Sequence, residues 1–64
     1  MKFAIGDIVF IKQPDIYITA SVEDASKSDI IQAKIQALKE ASPSKKYEIG
    51  KVYSFSRNDI DGAE

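Results

Sequence analysis

The chain has no cysteine, no histidine and no tryptophan, and only three glycines and two prolines in 64 residues. Each absence removes a class of explanation. Without cysteine there is no disulfide, and without cysteine or histidine the usual zinc ligand sets cannot be assembled, so the staples of many small domains are missing. Without histidine there is no side chain whose ordinary pKa lies near neutrality to act as general base, and no feature marks the buried lysine that a serine–lysine dyad would need. These absences argue against an enzyme. No apolar run approaches the about 20 residues that span a bilayer, and Met1-Lys2-Phe3-Ala4-Ile5-Gly6-Asp7 interrupts with glycine and aspartate where a signal peptide needs a continuous apolar stretch. The expectation is a cytoplasmic protein with no membrane association and no cofactor.

What is present is a globule's composition, with 44% hydrophobic and 30% charged residues. A single small domain over residues 1–64 is expected, its last residues frayed. The net charge is −1 but unevenly spread. Between residues 32 and 57, Lys34, Lys39, Lys45, Lys46, Lys51 and Arg57 face only Glu40 and Glu48, while eight acids lie elsewhere against Lys2, Lys12 and Lys27. Such polarity can steer a molecule toward nucleic acid or a charged protein, although solvated surface lysines are commonplace. The acidic tail Asn58-Asp59-Ile60-Asp61-Gly62-Ala63-Glu64 offers oxygen ligands without the ordered spacing of a calcium loop, so no metal site is assigned.

Ile8-Val9-Phe10-Ile11 reads as a strand that is apolar on both faces. If Val9 and Ile11 point inward with Ile5, then Ile8 and Phe10 point outward and need cover from elsewhere in the chain or from another molecule. After Pro14-Asp15, the apolar set Ile16, Ile18, Ala20 and Val22 alternates with Tyr17, Thr19, Ser21 and Glu23, which predicts a half-buried strand with Tyr17 on its exposed side. Glu23 to Asp29 reads as a loop. Ile30 to Ala41 fits two periods. A helix places Ile31, Ile35 and Leu38 on one stripe behind a Ser26–Asp29 capping box, and a strand places Ile31, Ala33, Ile35 and Ala37 on one face. Local propensity favours the helix, and Ser42-Pro43-Ser44 stops either element.

In the tail, Tyr47-Glu48-Ile49 and Tyr53-Ser54-Phe55 read as two strands joined by a turn at Gly50-Lys51. Ser56 to Asp59 has capping-box spacing, so one helical turn there would aim Ile60 at the core. Tyr47, Tyr53 and Phe55 fall on inward positions, where core packing accounts for them better than an aromatic cage for a methylated ammonium.

Gly6-Asp7-Ile8-Val9, Ala33-Lys34-Ile35 with Leu38, Tyr47-Glu48-Ile49 and Tyr53-Ser54-Phe55-Ser56-Arg57-Asn58-Asp59-Ile60 together resemble the small SH3-like and Tudor-like β-barrels of bacteria and their phages. The matching pattern is a G-D-x-V opening strand, an A-x-I second strand and a closing Y-x-F-S-x-x-D-I. The stretch Gln13 to Asp29 is longer than the usual first connection. The resemblance implies a mainly β, five-stranded SH3-like small barrel, with Ala33-Lys34-Ile35 in a strand. The alternative is an α+β fold, ββαββ, with a helix at about 29–41.

Two functions follow as expectations. The first is a non-enzymatic protein-binding module using Ile8, Phe10 and Tyr17 and an open sheet edge, as a small phage-type inhibitor or adaptor of a larger host protein. Self-association of two copies through Ile8 and Phe10 belongs to this reading. The alternative is a nucleic-acid-binding module using Lys34, Lys39, Lys45, Lys46, Lys51 and Arg57.

Overall fold

The computed structural model describes residues 3–40 and 46–64. Strands β1 (Ile8–Gln13), β2 (Ile16–Asp24), β3 (Ile30–Glu40) and β4 (Val52–Ser56) are followed by a 3₁₀ turn, Arg57–Asp59, and by β5 (Ile60–Ala63). All pair antiparallel in one sheet of order β4-β3-β2-β1-β5. The fold is therefore mainly β. Among the described residues no helix is long and apolar enough to cross a membrane.

The β1–β2 hairpin is set by its turn. Gln13 pairs with Ile16, leaving Pro14 and Asp15 as the two loop residues. Proline fixes its own φ, and Asp15 takes φ 68°, a left-handed conformation that aspartate tolerates better than most residues. The register that follows puts Ile16, Ile18, Ala20 and Val22 beside Val9 and Ile11 on one buried face, joined by Ile31, Ala33 and Ile35 of β3 and Phe55 of β4. No polar or charged residue among those described is buried. Apolar burial is thus the main source of stability, at about 1.5–3 kcal/mol for each fully covered large side chain.

The helix expected at about 29–41 does not form, and its described residues Ile30–Glu40 are the longest strand. Propensity differences of tenths of a kcal/mol per residue are outweighed because β3 pairs on both sides, with β2 and with β4, and buries Ile31, Ala33 and Ile35. The ββαββ alternative is overturned. The stop expected at Ser42-Pro43-Ser44 lies outside the described residues.

The fifth strand is not where the sequence places it. Tyr47-Glu48-Ile49 is irregular chain rather than a strand, and Ile49 is 65% exposed instead of sharing a buried face with Tyr47. The backbone here is held by other bonds: Glu48 N–H donates to the Tyr53 hydroxyl (3.0 Å), and Gly50 N–H donates to the Ile35 carbonyl (2.8 Å). Gly50 sits at φ 89°, which a side chain would resist. Asp61, Gly62 and Ala63, expected to fray, instead lie in β5 along β1, with Phe10 opposite Gly62 and Val9 opposite Ala63. Ile5, expected in the core, is 76% exposed on the turn that precedes β1.

The link between β4 and β5 forces the sheet to bend. Neighbouring strands lie about 4.8 Å apart, so the edges of a flat five-stranded sheet would be about 19 Å apart. Those edges are β4 and β5, joined only by three 3₁₀ residues rising about 2 Å each. The sheet must curl. Register shifts at Thr19/Ala20 and Val22/Asp24 of β2, and at Phe10/Ile11 of β1, supply the bulges at which strands bend. The expected turn after β4 is present, capped by the Ser56 hydroxyl accepting from Asn58 N–H (3.2 Å), and Ile60 packs against the core.

Candidate functional site

Alternation along β1 and β2 leaves Ile8, Phe10 and Lys12 beside Tyr17, Thr19 and Ser21 on the outer face of the curl. Phe10 and Tyr17 stack with ring centroids 6.4 Å apart and planes 22° from parallel. The hairpin register brings them together, since Phe10 lies opposite Thr19 and Tyr17 is two residues away on the same face. Tyr17 is 37% exposed, as expected, whereas Phe10 and Ile8 are half-buried.

The cover over Phe10 comes from the chain itself. A Cβ on Gly62 would stand 3.7 Å from the Phe10 ring, so the ring lies over the glycine backbone of β5. Asp61, next to it, accepts a long hydrogen bond of 3.4 Å from the Tyr17 hydroxyl. The outward face of β1 is thus partly closed by the very residues that the sequence suggested were frayed. Tyr17 remains the accessible aromatic of the three residues Ile8, Phe10 and Tyr17.

Tyr17 is also the centre of a basic row. Lys12 of β1 and Lys39 of β3 are its direct cross-strand neighbours. A shallow open groove of about 370 Å³ beside it is of mixed charge, lined by Lys12, Tyr17 and Lys39 and also by Asp15 and Glu40. Lys12 was not singled out from sequence, because its membership in this row depends on the β1–β2 register.

The described members of the six-residue basic set are differently engaged. Lys34 and Lys39 are exposed on β3, Lys46 lies before the Gly50 turn with its ammonium 5.5 Å from the centre of the Tyr47 ring, and Lys45 lies outside the described residues. Lys51 is ion-paired with Glu48 at 2.9 Å, which raises its pKa above the ordinary lysine value through the hydrogen bond and the charge of that carboxylate. Arg57 turns back onto the molecule. Its guanidinium donates to the carbonyl oxygens of Lys27 and Ala25 and lies 5.4 Å from the centre of the Phe3 ring.

Tyr47, Tyr53 and Phe55 form one aromatic cluster, with centroid separations of 5.0, 5.6 and 6.4 Å. Phe55 is buried, the two tyrosines pack against the core, and the Tyr47 hydroxyl donates to the Gln13 side-chain carbonyl (3.0 Å). The three rings pack on one another and on the core, in keeping with core packing. Among the described residues no group of three acidic or metal-ligating side chains is assembled.

The chain matches no family model, no curated protein and no solved structure.

Proposed function

We propose that this chain is a non-catalytic protein-binding module of the SH3-like small-barrel kind, similar to the SH3-like and Tudor-like proteins of bacteria and phages. It acts in the cytoplasm as an adaptor or inhibitor of a larger protein. The barrel reading draws support from the strand order β4-β3-β2-β1-β5, from the short 3₁₀ link between its outermost strands and from the curl which that link imposes. The observation that carries the binding reading is the Phe10–Tyr17 pair. A half-buried ring holds an exposed tyrosine on the outside of a rigid sheet, so little side-chain entropy is lost when a partner covers it. Ile8 extends the same face along β1.

A second reading, nucleic-acid binding, is favoured by the row Lys12–Tyr17–Lys39, which sets an aromatic between two cations. It is disfavoured by the engagement of Arg57 and Lys51 within the chain and by Asp61 beside the Tyr17 hydroxyl. The deciding experiment compares wild type with Tyr17→Ala as immobilised bait, with and without nuclease and at low and high salt. A protein retained by wild type through nuclease and high salt, and lost with Tyr17→Ala, supports the module. Retention abolished by nuclease or salt transfers the assignment to nucleic acid, because phosphate contacts weaken steeply with salt. Retention unaffected by Tyr17→Ala removes this face from either role.

A further inference from the structure

We infer that Asp61 is the specificity-determining residue of the Tyr17 face: its carboxylate keeps polyanions off the row Lys12–Tyr17–Lys39 and reserves that row for a protein partner. The inference rests on the reading of this face as a binding surface.

Asp61 is aimed by a β-bulge. Phe10 of β1 lies opposite Gly62 of β5, and the next residue, Ile11, lies opposite Ile60, so Asp61 has no counterpart and is the extra residue of β5. Ile60 still packs on the core, and Gly62 still lies against the Phe10 ring on the outer face. Inserted between them, Asp61 is exposed and brings its Oδ2 to 3.4 Å from the hydroxyl of Tyr17, two strands away in the sheet. So long a hydrogen bond is weak, and the bulge rather than the tyrosine fixes where the carboxylate stands.

The strands around Tyr17 present a different chemistry. Its outer-face neighbours on β1, β2 and β3 are Phe10, Lys12, Thr19, Ala37 and Lys39, with two cations and no acid among them. Neither lysine is ion-paired among the described residues. An aromatic ring between two such cations is a pattern that stacks a base and neutralises the phosphates beside it. Asp15 and Glu40 also border the groove, but Asp15 belongs to the hairpin loop, and Glu40 lies opposite buried Ile16 and so shares the inner side of the sheet. Among the described residues Asp61 is the acid that meets the tyrosine itself.

A phosphate attached to a base stacked on Tyr17 would come within several ångströms of that carboxylate, and the repulsion would offset about one lysine contact. A nucleic-acid strand carries charge of one sign and cannot relieve it. A protein partner can answer both signs, setting an N–H donor or a cation at Asp61 and acceptors at Lys12 and Lys39.

The test is the binding of a short fluorescent oligothymidylate to the full chain, followed by anisotropy at low ionic strength. Asp61→Asn removes the charge at nearly constant size and should bind about fivefold more tightly than wild type, with Asp61→Lys tighter still. The gain should vanish in about 0.5 M salt, and it should vanish when Tyr17→Ala is added. Asp29→Asn makes the same change in net charge on the exposed loop at the opposite end of β3 from Lys39, and should gain about twofold at most. Circular dichroism verifies that each variant is folded. A wild-type chain that binds the oligonucleotide as tightly as Asp61→Asn overturns the inference and favours the nucleic-acid reading. Absence of a gain in both Asp61 variants, an equal gain in Asp29→Asn, or a gain that survives Tyr17→Ala also overturns it, while leaving the protein-binding reading to the partner-retention experiment.

Discussion

Arg57 reaches back 30 residues to Lys27, its Nη2 donating to the Lys27 carbonyl oxygen at 2.7 Å and its Nε to the same oxygen at 3.2 Å. A further bond from Nη2 holds the Ala25 carbonyl at 3.0 Å, and the guanidinium packs on Phe3. One side chain thus joins the turn after β4 to the β2–β3 loop and to the segment before β1. Arg57→Ala should lower stability by about 1–3 kcal/mol, the range for losing charge-assisted hydrogen bonds at a half-buried site. Arg57→Lys should recover only part, because an ammonium cannot reproduce the planar fork. Urea midpoints of the three proteins check this, and a wild-type midpoint in Arg57→Ala would mean that the clamp contributes nothing.

Ile35 and Ile49 are the same residue type with opposite fates. Ile35 is 1% exposed between β2 and β4, whereas Ile49 is 65% exposed beside the Gly50 turn. Ile35→Asp should unfold the chain, since it buries an unpaired carboxylate in an all-apolar core. Ile49→Asp should change stability by no more than about 0.5 kcal/mol. Circular dichroism with thermal melting separates the two, and a cooperative melt in Ile35→Asp would contradict the placement of β3.

The same pair shows what the sequence could and could not reveal. The period-two alternation of Ile16 to Glu23 and the apolar run Ile8 to Ile11 predict β1 and β2, because each pattern fits only one regular structure at that length. Ile30 to Glu40 carries both a helical stripe and a strand alternation, and the choice is made by β2 and β4 on either side, which no local window contains. Asp61-Gly62-Ala63 has the composition of a frayed end and becomes a strand only because β1 offers it an edge and Phe10 covers the glycine. At the site, the proximity of Phe10 and Tyr17 follows from the two-residue Pro14-Asp15 loop. The withdrawal of Arg57 from the basic set does not, because its acceptors are loop carbonyls whose positions depend on the folded sheet.

Gly50 and Gly62 should respond oppositely to the same substitution. Gly50 has φ 89°, a conformation costing an L-residue about 1–2 kcal/mol, so Gly50→Ala should be destabilising by that amount. Gly62 has no such φ, and an added methyl would rest at 3.7 Å from the Phe10 ring in ordinary contact. Gly62→Ala should be neutral or gain up to about 1 kcal/mol by restricting the unfolded chain. Chemical denaturation of both variants tests the contrast. A loss in Gly62→Ala comparable to that in Gly50→Ala would mean that β5 and Phe10 cannot accept the methyl.

Phe10 and Tyr17 should divide stability from binding. Phe10→Ala removes a ring lying over Gly62 and under Tyr17, and should cost about 1–2 kcal/mol, below the value for a fully buried phenylalanine. Tyr17→Ala gives up the exposed partner of the stack and should cost about 1 kcal/mol or less. Under the protein-binding reading both variants lose the partner, although only Phe10→Ala weakens the fold appreciably. Melting temperatures measured alongside partner retention make the division visible, and a Tyr17→Ala chain that binds normally would move the site off this face.

Asp24 supplies a test in acid. Its Oδ1 accepts the Ser26 N–H at 2.8 Å, and this backbone hydrogen bond, followed by one with the Ser26 side chain and the charge of Lys27, holds its carboxyl below the ordinary aspartate pKa. A carboxyl whose pKa is lowered by folding contributes stability while ionised in both folded and unfolded chains, and that contribution fades as pH falls through the folded value. Asp24→Asn abolishes this titration while leaving an oxygen that can still accept from Ser26. The wild-type chain should therefore lose stability more steeply than Asp24→Asn below about pH 4, the region in which aspartates ordinarily titrate. Urea midpoints of the two proteins between neutral and strongly acidic pH measure the difference, and parallel pH profiles would show that the Asp24–Ser26 bond does not favour the ionised form.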